Sequence, residues 1–359
     1  MNALLAMCLL ASVDVDAMEK KIDTAVAAAI ERKDMPGAVV LILHGDRIIL
    51  RKAYGLRSQT PDPLPMTVDA IFDLASLTKP IATASSVMKL VELGKLKFDD
   101  KVSTHWPEFA ANDKDAITIE HLLKHTSGLI ADNPIADYMD GRTKAMERIA
   151  ARKLSARPDE KFTYSDVGFI VLGEIVERKS RQSLPDFAKE HIFAPLKMTD
   201  TGFTPAKQFH MRIAPTTKLG IVHDPRAALM DGVAGHAGLF GTADDLARFA
   251  RMLLNDGELD GVRIFKAETV RQFTEPLRVP GGFRSRGWDV DTSYSAPRGD
   301  AFKKGTGYGH TGFTGTSIWI DPPSKTAVII LTNRVHPNDK GNVTKLRREI
   351  GTIVGEAVR

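Results

Sequence analysis

FDLASLTKP, residues 72–80, decides the reading of this chain: a short apolar strand runs into a helix, with Ser76 and Lys79 at the junction. Residues three apart share a helix face, so the Lys79 amine can reach the Ser76 hydroxyl and help take its proton. Ser-x-x-Lys alone is a weak signal, and Ser86-Val87-Met88-Lys89 repeats it inside the same predicted helix. Position separates the two. Ser76 sits at the helix start, where backbone N–H groups lack intrahelical partners and are free to donate to a developing oxyanion. Ser86 is placed mid-helix, where those donors are already used. The plainer reading of Ser76 is an N-terminal cap.

Outward from this junction, AMEKKIDTAVAAAIERK (17–33) carries apolar residues at helical spacing and stops at Met35-Pro36-Gly37. AVVLILHGDRIILRKAYG then gives two β-rich runs around His44-Gly45-Asp46, a hairpin signal. The middle of the chain reads as mostly helical. Runs at Ile119 to His125, Met146 to Arg152, Val167 to Arg178 and Asp245 to Leu254 have Thr118, Asp166 and Thr242 as expected N-caps. GTSIWIDPPSKTAVIILTNR is a second hairpin, turned at Asp321-Pro322-Pro323, and a last helix is expected over Asn342 to Val358. Strands at both ends with helices between predict an α+β fold: an antiparallel sheet formed by both chain ends and flanked by helices, with a mainly helical lobe inserted and a cleft between. The expected lobes are about 18–75 with 245–359, and about 76–244, in one domain over 18–359. PDPLP near Pro61 and PGGFRSRGWDV read as surface loops.

With 359 residues, 43% hydrophobic and 26% charged, the chain has the composition of a globular protein with a large core. A formal charge of +4, without basic tracts, argues against nucleic acid as a partner. Cys8 is the only cysteine, which excludes an intrachain disulfide and cysteine-rich zinc sites. Residues 1–17 (MNALLAMCLLASVDVDA) have an apolar run of signal-peptide length but no basic start; they read as a leader or a disordered extension, with a periplasmic or secreted location favoured over a cytoplasmic one. No later run is long and apolar enough to be a transmembrane segment. Oligomeric state is not legible.

Two further stretches bear on chemistry. In KFTYSDVGFIVLGEIVERK, Tyr164 and Asp166 precede an amphipathic helix; Asp166 reads as its cap, and a Tyr164 held beside an ammonium could act as a general base. Tyr138-Met139-Asp140 has the same spacing but less to hold it in place. In GYGHTGFTGTSIWI, His310, Thr311, Gly312 and Phe313 form a glycine-rich approach to a strand whose edge could carry substrate, with a backbone N–H near Phe313 completing an oxyanion hole. An ordinary turn and a surface histidine are the plain alternatives. His121 and His125 share a helix face but lack the glutamate of a zinc-protease motif, so no metal site is expected. GVAGHAGLFG (232–241) reads as backbone turns, since it lacks the Gly-Lys-Ser/Thr ending of a phosphate loop.

The order Ser-Lys, Tyr, His-Thr-Gly resembles the β-lactamase-related serine hydrolases: class C β-lactamases, DD-peptidases, penicillin-binding proteins and family VIII carboxylesterases. The likeness runs from about residue 18 and includes DLASLTK, ITIEHLLKHTSGL, FTYSDVGFIVLGEIVE, AGLFGTADDLARF and GHTGFTG. It implies a β-lactamase/DD-peptidase-like fold, Ser76 as acylated nucleophile, Lys79 and Tyr164 as its proton-handling partners, and the N–H groups of Ser76 and Phe313 as oxyanion donors. Asp166, His310, Thr311, Gly312 and Phe313 would contact substrate, and no cofactor is required.

Two departures set an expectation about substrate. Asp166 stands where lactamases and peptidases carry Asn, and His310 where they carry Lys, so a substrate carboxylate should be attracted less. The expected activity is therefore a carboxylesterase on short-chain acyl esters. DD-peptidase or class C-like β-lactamase action on D-alanyl peptides or β-lactams is the alternative. A protein that binds penicillin or wall fragments without turnover is the alternative of another class.

Overall fold

The computed structural model describes residues 13–359; Cys8 and the apolar run read as a leader lie outside the described residues. Five helices frame the fold: α1 (Val15–Glu31), α2 (Ser85–Glu92), α3 (Asp166–Ser180), α4 (Ala243–Leu254) and α5 (Thr344–Ala357). Helix α1 thus takes in residues 15–17 of the stretch read as a leader. Its cap is Asp14, whose side chain accepts the Ala17 N–H at 3.0 Å. Met18, Ile22, Ala25, Val26 and Ala29 form its buried stripe.

That stripe packs on a nine-stranded sheet. Its strands are β1 (Gly37–His44), β2 (Arg47–Ser58), β3 (Leu64–Pro65), β4 (Leu277–Val279), β5 (Gly282–Arg284), β6 (Asp289–Asp291), β7 (Tyr308–Thr311), β8 (Ser317–Asp321) and β9 (Thr326–Thr332). Their spatial order is β4-β5-β6-β7-β8-β9-β1-β2-β3, with every pair antiparallel. The two expected hairpins are present, and β1 pairs with β9 so that Val40 lies opposite Ile330. Both central strands are apolar along their length because both faces are covered. Val40, Ile42, Val328 and Ile330 face α1 and α5, while Val39, Leu41, Leu43, Ile329 and Leu331 face the main core. Helix α4 packs against β1 and β9.

The α+β class is as expected, and the structure differs from the sequence reading in particular places. PGGFRSRGWDV is not a surface loop: it supplies β5 and part of β6, with Arg284 and Trp288 fully buried. Leu64-Pro65 of the PDPLP stretch forms the exposed edge strand β3, a position where a proline's missing N–H is harmless. A second sheet joins the expected short strand Ile71–Asp73 to three short strands, Gly202–Phe203, Leu239–Gly241 and Ile213–Ala214, that lie in the region expected to be helical. Among the described residues no helix is long and apolar enough to cross a membrane.

Candidate active site

Ser76 is presented by a backbone under constraint. Strand Ile71–Asp73 ends against Leu239–Gly241, and Ala75 then turns with φ of 47°, a left-handed conformation that costs an alanine energy. Three hydrogen bonds hold it: Asp73 Oδ1 accepts the Ala75 N–H at 2.8 Å, Thr78 Oγ1 donates to Ala75 O at 2.6 Å, and Thr78 Oγ1 accepts the Leu239 N–H at 3.1 Å. The result is a 3₁₀ turn, Ala75–Leu77, followed by a π-helical stretch, Lys79–Ala84, before α2 begins at Ser85. A regular helix from Ser76 onward was expected; Pro80, which has no N–H to give an α ladder, lies in the π stretch that replaces it. Ser76 is left partly exposed.

Lys79 is fully buried behind it. Its Nζ donates to Ser76 Oγ at 3.0 Å and to His236 O at 3.2 Å, and lies 2.6 Å from Asp166 Oδ1. Burial opposes both charges of the Lys79–Asp166 pair, and their mutual attraction overcomes it. Lys79 is held above the usual lysine range and Asp166 below the usual carboxylate range. Asp166 is therefore not the helix cap. Ser165 is, its hydroxyl accepting the Gly168 N–H at 3.0 Å, which leaves the next residue's carboxylate free for Lys79.

The Tyr164 ring lies 4.9 Å from Lys79 Nζ. Burial raises the phenol above its ordinary value, outweighing the lowering effect of Lys79, so the resting group is a phenol rather than the phenolate that the ammonium alone would favour. His125 packs against it with centroids 4.5 Å apart and ring planes tilted by 31°, and Tyr294 stacks on it at 5.1 Å.

Strand β7 reaches the same place. Past it, Thr314 Oγ1 donates to Asp73 O at 2.7 Å and Thr316 Oγ1 to Leu74 O at 3.0 Å, bolting the Gly312–Thr316 turn to the backbone that carries Ser76. Among the described residues the Phe313 N–H has no protein partner. His310 is buried rather than on the surface, 6.0 Å from the Tyr164 ring, and donates from Nδ1 to Thr311 O at 2.9 Å. Burial, then the nearby Arg284 and Lys79, hold His310 well below its ordinary value, so it is uncharged. Ser76, Tyr164, Thr311, Gly312 and Phe313 line one cleft of about 380 Å³; Lys79 and Asp166 stand behind it.

Several neighbours escaped the sequence reading. Arg334 and Arg347 line the cleft, and among the described residues no carboxylate does, though Asp339 pairs with Arg334 at 3.1 Å. Arg347 Nη2 donates to Gly312 O and Thr316 O, both at 2.8 Å, and burial, with Arg334 adding to it, pushes Arg347 down to about 9. Arg334 stacks on Phe313 with its guanidinium 4.3 Å from the ring. Arg284, fully buried, pairs with Asp289 at 3.2 Å and faces the Phe162 ring at 5.4 Å. A charged residue in a glycine-rich stretch carries no local mark of burial.

The rejected motifs stay outside the cleft. Ser86 donates to Ala82 O within its helix. Tyr138, read as loosely held, is fully buried and bonded to Asn133, yet not near Ser76's cleft lining. His121 closes a capping box with Thr118, and His125 Nδ1 accepts the Ser165 N–H at 3.0 Å. Asp166, Asp224 and His236 bring their ligand atoms within 4.8 Å of one another, close enough to share an ion. The Lys79 ammonium already supplies the positive charge at Asp166, and His236 Nε2 is bonded to Asp224 Oδ1, so these residues are engaged with protein partners and do not fit a metal.

The family described as Beta-lactamase matches residues 22–351. A protein of Escherichia coli (strain K12) named "Putative D-alanyl-D-alanine carboxypeptidase" is 33% identical over 343 residues, covering 84% of this chain and 79% of that protein. The "N-acetylmuramyl-L-alanine amidase" of Bacillus subtilis (strain 168) is 32% identical over 360 residues, covering 86% and 80%. A solved class C β-lactamase superposes with a TM-score of 0.77 at 20% identity, over 95% of this chain and 99% of the other. Sequence and fold agree, and the chain belongs to the Beta-lactamase family, the β-lactamase-related serine hydrolases.

Proposed function

We propose that the protein hydrolyses acyl substrates through an acyl-enzyme on Ser76, and that these are peptide-type donors with a free carboxylate, of the D-alanyl kind. The observation that carries this reading is the cleft itself: Ser76 and Tyr164 open onto a wall with Arg334 and Arg347 and, among the described residues, no carboxylate. His310 is uncharged, as the sequence reading anticipated; Arg334, which also pairs with Asp339 at 3.1 Å, and Arg347 bring positive charge to the wall in its place, and the negative charge of Asp166 is engaged by Lys79. Short-chain esters, the substrate first expected, are the second reading. The neutral His310 favours it, since an ester needs no carboxylate anchor.

The resting site has no ready base, because Lys79 is an ammonium and Tyr164 a phenol. Ser76 Oγ bonds to the acyl carbon while the Tyr164 oxygen receives its proton and passes the phenol proton to the leaving nitrogen. Lys79 stabilises the developing charges throughout. The N–H groups of Ser76 and Phe313 receive the oxyanion. Deacylation reverses the relay: water bonds to the acyl carbon, its proton goes to Tyr164, and the phenol proton returns to Ser76 Oγ.

The test is a panel on wild type and Ser76→Ala: an N-acylated Lys-D-Ala-D-Ala peptide, its C-terminal amide, a p-nitrophenyl butyrate ester and a chromogenic cephalosporin. Wild type should release D-alanine with kcat/KM at least about tenfold above that for the amide, one charge-assisted contact being worth that much. Equal cleavage of acid and amide would overturn the carboxylate reading and leave the ester one. Turnover by Ser76→Ala would overturn the acyl-enzyme. A stoichiometric burst without turnover would mark a binding protein.

A further inference from the structure

The GVAGHAGLFG segment does more than turn the backbone. Three oxygens surround Lys79 Nζ within 3.2 Å: Ser76 Oγ, Asp166 Oδ1 and His236 O. The ammonium donates to Ser76 Oγ and His236 O and pairs by charge with Asp166 Oδ1, whereas a neutral amine would lose that pairing and turn its lone pair toward one of these oxygens. The main-chain oxygen of His236 is thus part of what selects the charged form.

That oxygen is placed by a clamp. Thr83 Oγ1, from the turn after Lys79, donates to Gly235 O at 2.7 Å. Gly235 lies so close to α3 that a Cβ there would run into Phe169 O. Next to it the His236 side chain, 1% exposed, donates from Nε2 to Asp224 Oδ1 at 3.0 Å. Asp224 is fixed in turn as the cap of helix Pro225–Ala228, accepting the Ala227 N–H at 2.8 Å.

Resting on the Ser76 mechanism above, we propose that His236, tied to Asp224, is a positioning residue: the tether aims its main-chain oxygen at Lys79 and so keeps Lys79 an ammonium behind Ser76. The charged and titratable groups facing this cluster are Lys79 and Asp73 from the Ser76 segment, Tyr164 and Asp166 at the start of α3, Asp132 from the loop before it, and Arg226 beside Asp224. Arg226 lies 3.4 Å from Asp132, so the tether adds no unpaired cation of its own.

Asp224→Asn and His236→Gln in the full chain test this. With the oxygen released, Lys79 should lose its proton more readily. The alkaline limb of the kcat/KM profile should move about one pH unit lower, and kcat on the plateau should fall about tenfold with KM held. Asp224→Glu should restore part of both. The Lys79 side-chain NMR titration, which needs no turnover, should move in the same direction. An unmoved limb and an unmoved titration in variants that fold would overturn the proposal; loss of melting temperature alone would mark a purely structural tether. If the Ser76→Ala panel were to sink the acyl-enzyme while the NMR shift held, the tether would stand and the mechanism would fall.

Discussion

Lys79 Nζ and Asp166 Oδ1 lie 2.6 Å apart, with the lysine fully buried and the Asp166 side chain 19% exposed. The contact is an ion pair more than an aligned hydrogen bond, and it settles which charges sit behind Ser76. The pH consequences have opposite signs. Asp166, held low, contributes stability present above its unfolded value of about 3.9 and lost as pH falls through its folded value. Lys79, held high, contributes stability present below its unfolded value of about 10.4 and lost as pH rises through its folded value.

Asp166→Asn removes the carboxylate and keeps an oxygen near Lys79. Urea unfolding at pH 7.5 should show a loss of up to about 3 kcal/mol, the scale of a broken buried pair. The loss should shrink as pH falls below about 4, where the carboxylate of the unfolded chain takes up protons and the pair's contribution is lost toward the lower folded value. Equal losses at both pH values would mean that packing, not charge, was removed.

Tyr164→Phe deletes the proton relay and little else, since the ring keeps its packing on His125 and Tyr294. The kcat should fall by about 10² to 10⁴, the usual worth of a positioned acid–base group, with KM nearly unchanged. Near-normal acylation in rapid-mixing experiments would remove Tyr164 from the proton path.

Arg334→Gln tests the cleft charge while leaving in place the bonds from Arg347 to Gly312 O and Thr316 O; it also frees Asp339, 3.1 Å from Arg334, and relieves the repulsion that Arg334 exerts on Arg347. KM for the free-acid peptide should rise about tenfold, while the amidated peptide and the butyrate ester change little. An equal effect on all three substrates would assign Arg334 to holding Phe313 instead.

Asp245 is a stability site away from the chemistry. Burial pushes it up to about 6, although Oδ2 accepts the Asp200 N–H at 2.9 Å and the Thr201 hydroxyl at 2.8 Å. A folded value above the unfolded one means the native state holds the proton more tightly, so this group lowers stability as pH rises from about 4 through 6. Asp245→Asn keeps an oxygen for both donors and should stabilise the protein by about 1 to 3 kcal/mol at pH 7.5, with little effect at pH 4. Destabilisation at pH 7.5 would show the carboxylate to be needed.

The two terminal hairpins were legible because β1 and β9 are continuous apolar runs bounded by turn residues, and the Ser76–Lys79 spacing was legible because both lie within one turn. Asp166 was harder. Ser165 and Asp166 are equally good caps by residue type, and only the approach of Lys79, more than eighty positions earlier, decides which one bonds the backbone. Arg284 was illegible for a related reason: its aromatic neighbour Phe162 lies more than a hundred positions earlier, so nothing beside Arg284 in the chain marks the contact. The π-helical stretch after Lys79 was also unforeseen, because apolar spacing does not distinguish it from an α-helix over six residues.

The pairing of β1 with β9 gives the molecule a timetable. Residues 37–44 leave the ribosome well before 326–332 and cannot find that neighbour until the intervening residues have been made. Until then a fully apolar strand waits uncovered, the segment most in need of shielding during synthesis. Since α1 and α5 pack side by side, a circular permutant that links them and opens elsewhere would bring the two strands out in succession and shorten that wait.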